Sequence, residues 1–243
     1  MLNNFTTDTR ETAVRLPGDR PGHCAGMTTS GAGDILRHRR TLPAGYFDDL
    51  YRDSDDPWGL GGSWYEQRKR ALTMASLPRA RFRSAFEPGC ALGLLTELLA
   101  PRCDRLLATD IAAEPLAALA GRFGPQPQVQ VRQLAVPGQW PDGEFDLVVL
   151  SEIGYYLDHT DLSAVIARTV GSLAPDGFVV ACHWRHPAAG YPLTGDEVHE
   201  ALTAESGLVP LASHVEEDFR LDVLGRPGAP SVARADGVLG GLT

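Results

Sequence analysis

Lysine is almost absent from this 243-residue chain, and arginine carries most of its positive charge, a bias that by itself names no function. Basic residues are too few for a nucleic-acid partner. There are 22 against 31 acidic ones, a net charge of −9, and phosphate neutralisation needs a basic face. Cysteine is sparse as well. Cys24, Cys90, Cys103 and Cys182 include no two at zinc-site spacing and no disulfide framework, so free thiols in a reducing cytosol are expected. No run of about 20 apolar residues could span a membrane, and the N-terminus lacks the apolar core of a secretory signal. These absences point to a cytoplasmic protein with no membrane or nucleic-acid partner. What is present, 43% hydrophobic and 22% charged residues, suffices for a substantial core.

Residues 1–40 are polar and without apolar period, and read as a disordered or irregular tail. Phe47, Leu50 and Tyr51 then have helical spacing, broken by Pro57-Trp58-Gly59. A second helix is expected over 64–77, with Trp64, Arg68, Ala71, Leu72 and Ala75 on one face, ended by Pro78. Beyond it the pattern alternates. Strands are expected at 84–87, 105–109, 129–134, 145–150 and 178–182, with helices at 92–100, 114–123 and 161–173 between them. Thr160 would cap the last of these helices, and Pro175-Asp176-Gly177 would turn the chain into the fifth strand. A helix over 194–205 and an antiparallel pair at 208–215 and 219–224 close the pattern, and 227–243 reads as an irregular tail. The run Phe145-Asp146-Leu147-Val148-Val149-Leu150 suits a strand buried on both faces. The expectation is therefore a doubly wound α/β fold, a mostly parallel seven-stranded sheet over 41–226, with ligand bound beyond the carboxyl ends of the strands.

The most informative segment is Phe86-Glu87-Pro88-Gly89-Cys90-Ala91-Leu92-Gly93, followed by Asp110 at the end of the next apolar run. Glycines let a backbone approach a ligand closely, and an acid at the tip of the neighbouring strand can accept hydrogen bonds from a ribose diol. The spacing E-x-G-x-x-x-G departs from the dinucleotide G-x-G-x-x-G. A carboxylate at Glu87 would repel a pyrophosphate and suit a cation. S-adenosyl-L-methionine, with its sulfonium and α-ammonium groups, is such a ligand, and NAD is not.

Three segments carry a resemblance to a known family. They are Glu87-Pro88-Gly89-Cys90-Ala91-Leu92-Gly93 with Leu94-Leu95-Thr96, Phe145 to Glu152 with Gly154-Tyr155-Tyr156-Leu157, and Tyr46-Phe47 through Asp56-Pro57-Trp58-Gly59 to Ser63-Trp64-Tyr65-Glu66-Gln67-Arg68. Over roughly residues 45–185 the chain resembles the class I S-adenosylmethionine-dependent methyltransferases, and its third segment the branch related to the nodulation methyltransferase NodS. The resemblance implies a Rossmann-like methyltransferase domain with a helical lid over 41–78. It implies cofactor contacts from Glu87, Gly89, Cys90 and Gly93 in the glycine loop and from Asp110 and Ile111 after the second strand. Leu134, Ala135 and Val136 would follow the third strand and Ser151 the fourth. On the lid, Arg68 would pair with the methionine carboxylate, and Trp64 or Trp58 would shield the sulfonium. The family's frequent adenine-binding acid is missing from Gln133-Leu134-Ala135-Val136-Pro137, which leaves adenine to backbone groups.

Glu152, Tyr155 and His183 are the candidate catalytic residues, since they follow the fourth and fifth strands, where the acceptor should enter. Glu152 could hold or deprotonate an amine, and His183 could serve as a general base. Packing alone is the competing role for Tyr155, Tyr156 and His183. His183 and His186 lack a nearby carboxylate pair, so no metal is expected. The resemblance implies N-methylation of a small-molecule amine such as an amino sugar or secondary metabolite. O-methylation, a nicotinamide-dependent oxidoreductase and a non-catalytic nucleoside-binding partner are the alternatives. No Asn-Pro-Pro-Tyr-type motif follows the fourth strand, which speaks against a nucleic-acid or protein acceptor.

Overall fold

A computed structural model describes residues 40–238. The expected N-terminal tail (apart from Arg40), Cys24 and residues 239–243 lie outside the described residues. Two helices open the described chain, α1 (Ala44–Asp53) and α2 (Trp64–Ser76). Then strands and helices alternate: β1 (Ala85–Pro88), α3 (Leu94–Leu99), β2 (Leu106–Asp110), α4 (Glu114–Phe123), β3 (Val129–Gln133), β4 (Phe145–Ser151), α5 (His159–Ser172) and β5 (Leu173–Trp184). They end with α6 (Gly195–Glu205), the hairpin β6 (Val209–Val215) and β7 (Phe219–Gly225), and one turn of helix, α7 (Val232–Ala235), within the tail expected to be irregular.

The seven strands form one sheet in the order β3-β2-β1-β4-β5-β7-β6. All neighbours are parallel except those of β7, which pairs antiparallel with both β5 and β6. The strand order reverses between β1 and β4, where ligand crevices form in open α/β sheets. β4 is buried along nearly its whole length. Its alternate residues feed opposite layers: Val148 and Leu150 pack with Phe86, Val179 and the α5–α6 side, and Leu147 and Val149 with Leu95, Leu99 and Val180. Each such side chain contributes about 1.5–3 kcal/mol relative to exposure.

Three local expectations are corrected. Pro175-Asp176-Gly177 does not turn the chain ahead of β5 but lies within it, at a bulge where pairing with β4 jumps from Phe145↔Leu173 to Leu147↔Phe178. Asp176 there accepts hydrogen bonds from Arg79 and Arg83. The cap of α5 is Asp158, which accepts from Asp161 N–H at 3.0 Å, rather than Thr160. On α2 the buried residues are Lys69 and Thr73, whereas Ala71 and Ala75 are exposed and Trp64 is 74% exposed. The helix is rotated by about one residue from the expected face, so that Lys69 and Thr73 turn inward beside Tyr65, Leu72 and Met74, which pack on the core.

Asp146 breaks the apolar run of β4 for a reason visible only in the fold. Its buried carboxylate accepts the backbone N–H groups of Arg83 and Ser84, both at 2.9 Å, where the chain enters β1. Asp146→Ala is expected to lower stability by about 2–3 kcal/mol, since the bonds are charge-assisted and the amides have no other acceptor. Urea unfolding with an unchanged m-value checks this, and an unchanged midpoint would refute it.

Candidate active site

A cavity of about 340 Å³ opens beyond the carboxyl ends of β1, β2 and β4, and α1 and α2 contribute to its wall. One side is built from the glycine loop and the tip of β2. The loop doubles back through three residues of positive φ, Gly89 (+74°), Ala91 (+45°) and Gly93 (+67°). Asp110 holds it in place: Oδ2 accepts from Ala91 N–H and Oδ1 from Ala112 N–H, each at 2.9 Å. Each oxygen keeps a lone pair for a ligand hydroxyl. Burial pushes this carboxyl up, against the amide bonds that lower it.

Glu87 lies at the end of β1, on the same cavity wall as Asp110. It is fully buried, and Thr96 Oγ1 donates to Oε2 at 2.7 Å. Burial pushes its carboxyl up to about 8, with the charge of Asp110 adding to the shift and the Thr96 bond opposing it. Cys90, Ile111, Leu134, Val136 and Ser151 also line the cavity.

The two glycines have different tasks. A Cβ on Gly89 would lie 2.2 Å from Ile153 Cγ2, so this glycine makes room for the loop after β4. A Cβ on Gly93 would lie 2.6 Å from Leu119 Cδ2 and 2.5 Å from Arg122 Nη2. Gly93 therefore lets α3 and α4 pack and is not part of the cavity lining, contrary to its expected ligand contact. Ala135 is also absent from the lining, and its N–H donates to Gln139 Oε1 at 2.9 Å.

The opposite side holds a charged cluster. Lys69, the single lysine of the chain, reaches inward from α2. Its Nζ lies 2.7 Å from Glu152 Oε1 and 2.8 Å from Glu66 Oε1. Burial alone would lower this ammonium, but the two carboxylates outweigh it and keep it charged. Glu152 has a left-handed backbone, φ +58°. Its Oε2 accepts from Trp184 N–H at 3.1 Å and from the Tyr155 hydroxyl. Beyond it the rings of Tyr155 and Tyr191 stack at 5.2 Å, with Tyr156 edge-on to both. Tyr51 and Trp58 line the α1 side, their rings 5.6 Å apart.

Three further candidates fall outside this cavity. Arg68 points away from it and forms a bidentate pair with Glu216, at 2.8 and 2.6 Å. Trp64 faces solvent. His183 is wholly buried: its Nε2 accepts from Gly154 N–H at 3.1 Å, and its Nδ1 lies 3.2 Å from His199 Nε2. Burial, then the neighbouring His199 and Lys69, hold it well below the usual histidine range, so it is a neutral, committed imidazole and no general base. Lys69 is the residue that sequence reasoning missed. Its signal was there, one lysine in the chain placed three residues after Glu66 on a helix, but a charged residue gives no reason of its own to be turned inward.

Strand order, antiparallel β7, glycine loop and Asp110 together define the Rossmann-like fold of class I S-adenosylmethionine-dependent methyltransferases. The family model described as Nodulation protein S (NodS) matches residues 44–189. The chain belongs to the NodS family. A Nodulation protein S from Rhizobium tropici is 33% identical over 129 residues, 52% of this chain and 54% of that protein, so the chain spans about half the length of that relative. The crystal structure of a Pseudomonas syringae protein described as a methyltransferase is 45% identical, covers 68% of this chain and all of that one, and superposes with a TM-score of 0.61. The N-methyltransferase NodS of Bradyrhizobium japonicum WM9, solved with S-adenosyl-L-homocysteine, is 27% identical, covers 74% of this chain and 97% of its own, and reaches a TM-score of 0.67.

Glu87 generates a pH dependence. Its folded pKa is raised from 4.5 to about 8, so the folded protein keeps a proton that the unfolded chain has lost, and without ligand stability falls as pH rises through that window. A ligand ammonium favours the ionised carboxylate, and binding below about pH 8 then releases a proton. Affinity for S-adenosylhomocysteine is expected to rise from about pH 6 to about pH 8.5, by up to about tenfold per unit, and to lose this dependence in Glu87→Gln. Calorimetry in buffers of different ionisation enthalpy checks it. A profile unchanged by Glu87→Gln would refute it.

Proposed function

We propose that this protein transfers the methyl group of S-adenosylmethionine to the amine of a small molecule. One observation carries the reading. Glu87 and Asp110 share one wall of a single cavity, and Glu152 with its aromatic neighbours forms another. When bound, the cofactor supplies an electrophilic methyl carbon on a sulfonium with a neutral leaving group. The chain's own residues then bind, orient and exclude water, which supplies much of the rate of an in-line displacement.

Asp110 takes the ribose hydroxyls on its free lone pairs. Glu87, once ionised, faces the ammonium. Lys69 and Arg70 are the cations of the cavity wall, and the Tyr65 hydroxyl is buried there without a hydrogen-bond partner. This trio, in place of Arg68, receives the methionine carboxylate. Glu152 holds the acceptor nitrogen and takes the proton it sheds, against a wall made by Tyr155, Tyr156 and Tyr191. An amine needs no stronger base than this. A hydroxyl acceptor would, and His183 has no free ring nitrogen to act as one. The buried carboxyl of Glu87 is equally unsuited to a dinucleotide pyrophosphate. The S-adenosylhomocysteine held by the Bradyrhizobium relative supports the same cofactor here. Among the described residues no helix is long and apolar enough to cross a membrane, and no group of side chains could hold a metal.

Calorimetry is expected to show S-adenosylhomocysteine binding that weakens about 10- to 100-fold in Asp110→Ala, the loss of charge-assisted bonds. Tritiated-methyl transfer is expected to amines such as glucosamine and phenethylamine. Transfer to hydroxyl acceptors alone would overturn the acceptor assignment, and absence of binding at millimolar ligand the whole reading. A second comparison separates the cations. Arg68→Ala removes an ion pair that lies outside the cavity, so affinity should change less than about fivefold. Lys69→Met should lose more than about tenfold, as expected for a charge-assisted bond. Equal effects would return Arg68 to the site.

A further inference from the structure

His183 begins a buried polar chain that the transfer chemistry does not use. Gly154 N–H donates to His183 Nε2 at 3.1 Å. A backbone amide can only donate, so Nε2 carries no proton, and the ring's single proton sits on Nδ1. That proton is donated to His199 Nε2 at 3.2 Å, which leaves the proton of His199 on its Nδ1, donating to Asp222 Oδ2 at 2.7 Å. Arg220 Nε donates to the same oxygen at 2.8 Å. From Gly154 to Asp222 the three donors thus point the same way, from the loop after β4, through β5 and α6, to β7. His183, His199 and Asp222 are all buried. Apolar side chains could fill this space without the desolvation that three polar groups carry.

The chain ends at the loop that places the acceptor wall. Gly154 lies between Glu152, whose backbone is left-handed, and Tyr155, whose ring meets the His183 ring edge-on at 5.6 Å. A Cβ on Gly154 would sit 2.5 Å from Val198 of α6 and 3.1 Å from His183 Nε2, so the loop has no room to shift. We infer that His183, His199 and Asp222 are positioning residues. By locking the tautomer of His183 they give Gly154 a permanent acceptor and hold Glu152 and Tyr155 at the cavity wall. This rests on the reading above that Glu152 and Tyr155 face the methyl acceptor.

The test uses the full chain with nitrogen-15-labelled histidine, the variants His199→Phe and Asp222→Asn, and three readouts. In the wild type, the ring shifts are expected to show unprotonated Nε2 and protonated Nδ1 on both histidines. His199→Phe removes the acceptor of His183 Nδ1–H, so His183 should gain the opposite tautomer. Hydrogen exchange at Gly154 N–H should then accelerate at least tenfold, while Ala91 N–H, held by Asp110, stays protected. Methyl transfer to glucosamine and phenethylamine should fall at least tenfold in kcat, with the Kd for S-adenosylhomocysteine changed less than twofold. Asp222→Asn keeps an acceptor for His199 and should preserve the tautomers with a smaller loss. A proton on His183 Nε2 in the wild type, or unchanged Gly154 exchange in His199→Phe, would overturn the inference. Should the wild type not bind S-adenosylhomocysteine, the cofactor assignment fails, and ring shifts and exchange still decide the relay.

Discussion

The carboxylate of Asp110 joins the glycine loop to the loop after β2. It stands at the end of a buried strand and holds one amide from the glycine loop and one from the start of its own following loop. A buried carboxylate must be saturated with donors to remain charged, and these amides, aimed at it by the backbone, meet most of that need. The same bond to Ala91 pins a loop that reverses through three left-handed residues. The wall of the cavity that the glycine loop forms is held by that attachment.

The opposite wall of the cavity is built on a different principle. Two carboxylates, Glu66 and Glu152, share one ammonium, with Arg70 3.7 Å from Glu66, beside the stacked rings of Tyr155 and Tyr191 and the edge-on ring of Tyr156. Such buried ions are expensive relative to apolar packing. They are retained here beside a cavity whose proposed ligands are cations. Glu152 is held from several directions at once: Lys69 from α2, the Trp184 amide from β5 and the Tyr155 hydroxyl from its own loop. An acid held in this way is fixed in place, as the proposed alignment of a nucleophilic nitrogen requires.

Much of this was legible in the chain. The alternation of apolar runs and amphipathic helices placed all seven strands to within a few residues, because strands buried on both faces must be continuously apolar and their connections must return them parallel. Glu87, Gly89 and Asp110 marked one wall of the cavity, since glycine spacing and a strand-end acid are local features. The failures were also physical. The α2 face was misread because periodicity assumes that the inward side is apolar, and here Lys69 and Thr73 face the cavity. The bulge at Pro175-Asp176-Gly177 has turn chemistry yet sits inside β5, where its arginine partners and the register of β4 accommodate it.

By itself, the sequence determined the order of elements, the position of the glycine loop and the acid in register with it, because each depends on residues within a few positions of one another. Only the tertiary structure decided which polar groups remain free for chemistry. Arg68 was taken by Glu216, 148 residues away, His183 on β5 by His199 on α6, and the Ala135 amide by the side chain of Gln139, while Lys69 was turned to the cavity wall in a pair with Glu66 and Glu152. A side chain's chemistry is written in its residue type. Its availability depends on what the fold brings within hydrogen-bond distance, which no local pattern records.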